Sequence, residues 1–280
     1  MSTELVQPVE CPLCKGTGWK TFAVDRKVPT VTRCDCRITA RAARLLAQAE
    51  VPRQYEHCTL DDFDVEFRSA TESLKRALLA ARRFAEQYPL EKEGMLLWGD
   101  CGTGKTHLAI AILKELVQQK GARCLFRGYS ALLKQLQATY SRQSVAYEDT
   151  GVVLTEYSIL RDVIDVEVLV LDDLGAEKSS EWTLSMLYHV INERYNQGRT
   201  TIITTNLPWE EQPGPGPDQR THDQRVPDQR MTQAQRAMKP ETLRERISER
   251  TYSRITEMCP IRLHLISNKD YRQIRGARSS

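Results

Sequence analysis

The chain has no strong excess of charge of either sign: 40 Lys and Arg stand against 37 Asp and Glu, for a net charge of +3 and a pI near 8.4. That balance excludes a protein held to polyanions by bulk charge, so any nucleic-acid contact has to be local. No apolar run long enough to cross a bilayer is visible, and no targeting leader. The expectation is therefore a cytoplasmic protein without a membrane partner, in a reducing compartment where disulfides are disfavoured. Half of the eight cysteines lack any paired spacing; Cys58, Cys101, Cys124 and Cys259 read as small apolar residues. What is present, 280 residues with a 40% hydrophobic fraction, suits one α/β domain with a small appendage.

Residues 99–106 read Gly99-Asp100-Cys101-Gly102-Thr103-Gly104-Lys105-Thr106, the pattern G-x-x-x-x-G-K-[ST], and these residues with His107 after them are the expected nucleotide-binding segment. Average residue usage makes the bare pattern an accident in roughly 1% of chains this long. Its context makes accident rarer still. Gly94–Trp98 is a short apolar run suited to a buried strand. Leu108, Ala109, Ile112, Leu113, Leu116 and Val117 then recur at helical spacing up to Gly121. Glycines let backbone N–H groups wrap phosphate oxygens, and the new helix directs its positive end at the same point. The pattern implies a nucleoside triphosphate, with Lys105 reaching the β- and γ-phosphates and the Thr106 hydroxyl ligating magnesium.

A triphosphate site also needs an acid at the carboxyl end of a neighbouring strand. Val168–Leu171 is such a strand, and Asp172 and Asp173 follow it. Asp172 is the expected second magnesium ligand. Asp173 is the candidate to polarise the attacking water, a task more often given to glutamate, and its shorter side chain bears on turnover rather than on binding. Thr200–Thr205 is almost entirely β-branched and reads as a third strand of the same sheet. It ends on Asn206, placed to orient the lytic water or sense the γ-phosphate if this strand lies between the other two.

Gly99–Thr106, Leu169–Lys178, Thr204–Leu207 and Glu249–Met258 together resemble the AAA+ ATPases of the DnaC/DnaI helicase-loader and IstB transposition-helper group. The resemblance covers about residues 50–275 and implies an α/β fold, a P-loop AAA+ parallel sheet flanked by helices. It also implies ATP hydrolysis at subunit interfaces of a self-associated assembly. Carried over position by position, Arg254 falls at the arginine finger that completes a neighbour's site, and Arg250 lies one helical turn earlier. Arg272 falls at the second sensor. A finger supplied in trans accelerates hydrolysis by about a thousandfold or more.

The first fifty residues read as a separate unit. Cys11 and Cys14 form one close pair and Cys34 and Cys36 a second, one residue tighter than the commonest spacing. Four thiolates in two pairs match a closed tetrahedral zinc site, which serves folding and recognition rather than catalysis. Metal would supply much of the folding energy of so small a unit. Ile38–Glu50, with Ala43, Leu45, Leu46 and Ala49, reads as an amphipathic helix ending before Pro52. Residues 1–50 hold eight Lys/Arg against five Asp/Glu, too mild an excess to demand nucleic acid. In the resembled loaders the corresponding region grips the replicative helicase.

The remainder, residues 51–280, is assigned to the ATPase domain. Arg123–Phe126 reads as a strand, Tyr129–Tyr140 as a helix and Thr155–Ile164 as another. In the resembled group, helices inserted there line a channel for single-stranded DNA, and Tyr129, Lys134, Tyr140 and Arg142 are the side chains available for stacking and backbone contact. Residues 210–240 interrupt the pattern with Pro, Gln and Arg and too few apolar side chains to offset ordering entropy, so a mobile insertion is expected. Residues 243–280 hold nine Lys/Arg against four Asp/Glu, a local excess suited to phosphate chemistry. The reading is an ATP-, magnesium- and zinc-dependent loader of a replicative helicase on single-stranded DNA. The alternatives are an IstB-like transposition helper, an ATP-gated adaptor with little hydrolysis, and a purely structural zinc protein.

Overall fold

The computed structural model describes residues 11–23, 29–66, 71–140, 155–209, 241–267 and 270. Strand β1 (Trp19–Ala23) and strand β2 (Pro29–Arg33) form an antiparallel hairpin that leads into helix α1 (Asp35–Gln48). Helix α2 (Glu72–Gln87) precedes the apolar strand β3 (Met95–Trp98), whose end feeds the phosphate loop and helix α3 (Lys105–Glu115). A π-helical turn, Leu116–Lys120, extends α3 until Gly121 ends it at φ +63°.

The rest of the sheet alternates with helices: β4 (Cys124–Gly128), α4 (Tyr129–Tyr140), α5 (Glu156–Asp165), β5 (Val168–Asp172), α6 (Glu181–Asn196) and β6 (Thr200–Thr205). The short helix α7 (Leu243–Arg246), helix α8 (Glu249–Met258) and strand β7 (Ile261–His264) complete it. Five parallel strands run in the order β4-β5-β6-β3-β7. The threonine-rich strand β6 thus lies between the acid strand and the phosphate-loop strand, the placement on which the expected role of Asn206 depends. α5 keeps its expected place, with Thr155 as its N-cap in a reciprocal capping box.

Parallel strands covered on both faces read as continuous apolar runs, and this sheet obeys that rule. Met95, Leu97, Val168, Val170 and Ile202 face a core built with α2 and α3. Leu96, Leu169, Leu171 and Ile203 face the opposite core, built with α4, α5, α6 and α8. α3 is apolar all round, with His107 through Leu113 buried, which is what a central helix requires.

α1 differs from its expected bounds and, at one position, from its expected inner face; Leu45, Leu46 and Ala49 face the core as expected. It starts at Asp35 rather than Ile38, and Ala42, Leu45 and Leu46 pack on the core while Ala43 is exposed. Its carboxyl end is anchored to the edge strand. Ala49 is fully buried, its carbonyl accepts from the Phe126 N–H (2.8 Å), and Glu50 pairs with Arg127.

Candidate functional site

The phosphate loop is built by local backbone demands. Gly99, Gly102 and Gly104 hold φ values of +141°, +78° and +94°, where a side chain is strained. At Gly99 a Cβ would also meet the Leu265 carbonyl oxygen at 2.2 Å, and at Gly102 the Asp270 carboxyl carbon at 2.6 Å. The loop therefore has close neighbours on the β7 side, including an acid two residues before Arg272. Lys105 is buried, and its Nζ donates to the carbonyls of Gly99 (2.9 Å) and Asp100 (2.7 Å) within the loop. Burial pulls its pKa below the usual lysine value, against the pull of the surrounding Cys101, Asp173, Asp172 and Asp100. A ligand bearing negative charge would restore what burial costs this cation.

The acids are tied to the loop through one chain of hydrogen bonds. Asp172 Oδ1 accepts from the Thr106 hydroxyl (2.8 Å) and from the Thr204 hydroxyl (2.7 Å). Thr204 Oγ1 accepts in turn from the Asp173 N–H (2.9 Å), and Asn206 Nδ2 donates to Asp173 Oδ1 (2.6 Å). Asp173 sits at φ +58°, a left-handed conformation unusual for a residue with a side chain, which turns its carboxylate toward Asn206. Burial raises the Asp172 pKa; the Thr204 and Thr106 hydroxyls oppose the rise, Asp173 adds to it and Lys105 opposes it. Thr106 and Asp172 are in contact and offer two hard oxygen ligands, the donor set magnesium takes beside phosphates.

Other expected residues fall elsewhere. His107 points away from the loop, toward the Thr59 carbonyl (3.3 Å), with Phe63 against its ring. Arg254 lies on α8 with its guanidinium 4.2 Å from the centre of the Tyr195 ring, and the Tyr195 hydroxyl donates to Glu257 (2.5 Å). Arg272 and Arg142, and the insertion 210–240, lie outside the described residues. Tyr129 is buried among the α4 core residues and offers no ring to a base, a correction to its expected stacking role. Lys134 and Tyr140 are exposed, with the Tyr140 hydroxyl on Glu156.

Three features escape sequence reading. Thr204 bridges both acids. Trp98 and His264 stack with ring centres 3.6 Å apart beside Asp100 and Asn206. Arg194 is fully buried and donates to the Thr201 hydroxyl and to the carbonyls of Val163, Ile164, Val166 and Thr200, closing the end of α5. The available signal was weak in each case, since threonine in a strand and arginine in a helix are ordinary residues.

The four paired cysteines converge. Cys11 Sγ lies 3.7 Å from Cys34 Sγ and Cys14 Sγ 3.4 Å from Cys36 Sγ, and all four sulfurs lie within 4.8 Å of one another. Tetrahedral zinc with Zn–S near 2.3 Å requires sulfurs about 3.8 Å apart, so the set fits that ion. Cys34 is the N-cap of α1 and Cys36 lies in its first turn. Hydrogen bonds from the Cys14 and Leu13 backbone lower the Cys11 pKa to about 7, while hydrogen bonds with Cys14 and Cys34 push Cys36 up to about 12. So crowded a set ionises fully only around a cation.

A model of the IstB-like ATP binding protein family matches residues 32–219. The replicative helicase loader DnaC of Escherichia coli strain K12 is 28% identical over 157 residues, 56% of this chain and 58% of that protein. The corresponding loader of Buchnera aphidicola subsp. Acyrthosiphon pisum is 26% identical over 164 residues, 59% of this chain and 61% of that protein. The chain thus spans about three-fifths of the length of these curated relatives. A crystal structure of the DnaC helicase loader superposes with a TM-score of 0.55 at 29% identity, covering 77% of this chain and all of that one. Among the described residues no helix is long and apolar enough to cross a membrane.

Proposed function

The chain belongs to the IstB-like ATP-binding protein family of the AAA+ group, and on that premise we propose that it hydrolyses ATP to load or remodel a replicative helicase on single-stranded DNA. The observation that supports the reading is the unbroken hydrogen-bond chain Thr106–Asp172–Thr204–Asp173–Asn206, which joins the phosphate loop to the two side chains proposed to position the attacking water. Thr106 and Asp172 would hold magnesium, which would supply positive charge against the charge developing on the transferring phosphate. Lys105 would leave the Gly99 and Asp100 carbonyls for phosphate oxygens. Asp173, held by Asn206, would accept the proton of the attacking water as its oxygen bonds the γ-phosphorus and the bond to the β-phosphate oxygen breaks, releasing ADP and phosphate.

Arg254 would meet the transition-state charge in a neighbouring subunit's site, which requires self-association. Arg272 would report on the nucleotide from the segment that brings Asp270 against Gly102. The unit of residues 1–50, closed by zinc on Cys11, Cys14, Cys34 and Cys36, would grip the helicase. Native mass spectrometry with the host's replicative helicase, with and without ATP, tests the reading. A complex lost on Cys11→Ser/Cys14→Ser supports a loader. No complex, with hydrolysis still stimulated by single-stranded DNA, would favour the alternative of an IstB-like transposition helper.

A further inference from the structure

A groove of about 400 Å³ runs between α1 and the end of α3, on the face of the sheet opposite α4, and its charged lining is entirely basic. Arg37, Arg41 and Arg44 project into it from α1 at i, i+4 and i+7, Arg33 joins from the end of β2, and Lys120 from the π-helical turn. No carboxylate lines it among the described residues, and among them none of the five is ion-paired. Two of the cations are tethered by backbone: Arg41 donates to the Gly121 carbonyl (3.3 Å) and Lys120 to the Glu86 carbonyl (2.9 Å). Like charges one turn apart on a helix repel. Holding five of them around one groove is a standing cost that a polyanion would relieve.

The groove continues onto an exposed aromatic surface. Trp19 is the cross-strand partner of Arg33, so the two share one face of the hairpin. Trp19 is 47% exposed, and Arg37 lies 5.9 Å from the centre of its ring. A large ring left in water beside a basic trough is the combination that takes a base on its face and the phosphodiester backbone along the cations. An acidic peptide would use the charges and leave the indole unexplained.

We propose that the α1–α3 groove and the Trp19 face of the hairpin form a binding surface for single-stranded nucleic acid, separate from the α4 side of the sheet. The cysteine cluster at the N-terminus of α1 fixes the hairpin against the helix so that ring and cations act together. This surface stands apart from the helicase reading, since either can fail while the other holds.

The test uses the full, zinc-loaded chain and fluorescence anisotropy with a fluorescein-labelled oligo-dT across a salt series. Arg37 and Arg44 are exposed, and Arg37→Gln/Arg44→Gln removes two phosphate contacts. Binding should weaken about 25-fold at about 0.1 M salt, with a salt slope shallower by about 1.4. Trp19→Ala should weaken binding about tenfold with the slope unchanged. Zinc content and melting temperature, measured on each variant, establish that the fold is intact. An affinity within twofold of the unsubstituted protein and an unchanged slope in the double variant overturn the proposal, as does loss confined to Lys134→Ala on the opposite face. Retained DNA affinity with loss of the helicase complex would mean that the surface takes an acidic protein, and that too overturns it.

Discussion

Substituting Asp172 by Asn should stabilise the empty protein while abolishing its response to magnesium and ATP. Asp172 is largely buried, and burial holds its pKa above the usual aspartate value. A carboxyl group whose folded pKa exceeds its unfolded value takes up a proton on folding. Stability is therefore fully present below the unfolded pKa and is lost as pH rises through the folded one. At neutral pH the ionised Asp172 is a destabilising charge. An amide at this position keeps the carbonyl oxygen that accepts from Thr106 and Thr204, so both hydroxyls remain satisfied.

The opposing effects can be weighed. A hydrogen bond to a charged group contributes about 1.5–3 kcal/mol and a neutral one about 0.5–1.5, so two downgraded bonds cost about 2–3 kcal/mol. Removing one partly relieved buried charge returns several kcal/mol. The difference is about 1 kcal/mol of added stability, or about 2–4 °C in melting temperature for a domain of this size. Differential scanning fluorimetry of both proteins at pH 5.5 and 7.5, with and without Mg·ATP, measures it. The gain should be larger at pH 7.5, where the carboxylate is ionised, and the ligand-induced upshift should vanish. A lower melting temperature for the empty variant, or an intact Mg·ATP shift, would refute the assignment of Asp172 as a metal ligand held at an energetic cost.

Asp173→Asn should slow phosphate release about a hundredfold and Asn206→Ala about tenfold, with ATP affinity nearly unchanged; a rate equal to that of the unsubstituted protein removes both from the mechanism. Arg254→Ala should keep nucleotide affinity and lose turnover about a thousandfold, and mixing it with Lys105→Ala should restore activity, because each variant lacks a different half of one shared site. Failure of that mixture in a phosphate-release assay would exclude a finger acting in trans. Arg194→Met strips the donor from four core carbonyls and should cost about 2–4 kcal/mol in urea unfolding, whereas a value near zero would mean that the core rearranges around the loss. Mercurial titration of the cysteines, followed with a zinc-sensitive dye, should release a single zinc per chain. Cys36→Ser should abolish that release while leaving the sheet's melting transition in place.

The phosphate loop, the acid strand and Asn206 were legible because each is a local backbone requirement: glycine where φ is positive, an apolar run ending in acid, an amide at a strand's edge. The four cysteines were legible for the same reason, as two short turns. Thr204 was not, because its role is created by register. β5 and β6 pair Leu171 with Ile203, which sets Thr204 beside Asp172, and no feature of a threonine-rich strand announces that neighbour. On the inner face of α1, Leu45, Leu46 and Ala49 are legible and only Ala43 is not: Ala42 faces the core in its place, since alanine carries little directional information and one residue turns a helix by about 100°. Tyr129 was misplaced because aromatic spacing looks the same on a buried face as on an exposed one. Arg194 reads as a surface residue until α5 is seen to end against it.

These pieces bear on how the amino-terminal unit relates to the ATPase sheet. Two of the four sulfurs belong to the start of α1, Cys34 at its N-cap and Cys36 in its first turn, so the cysteine cluster is part of the helix's own start. Fourteen residues carry that start about 21 Å along a stiff rod to Ala49, which is buried in the core and bonded to Phe126 of β4. β4 pairs with β5, the strand that ends in Asp172. A flexible linker would let the cysteine unit wander independently of the nucleotide site. A helix anchored at both ends does not, and a displacement of the acid strand would reach the hairpin through packed backbone. The basic groove lies along this helix and faces Gly121 at the end of α3, the helix that begins at Lys105. A ligand in the groove and a nucleotide in the loop would therefore act on the two ends of one continuous segment of secondary structure.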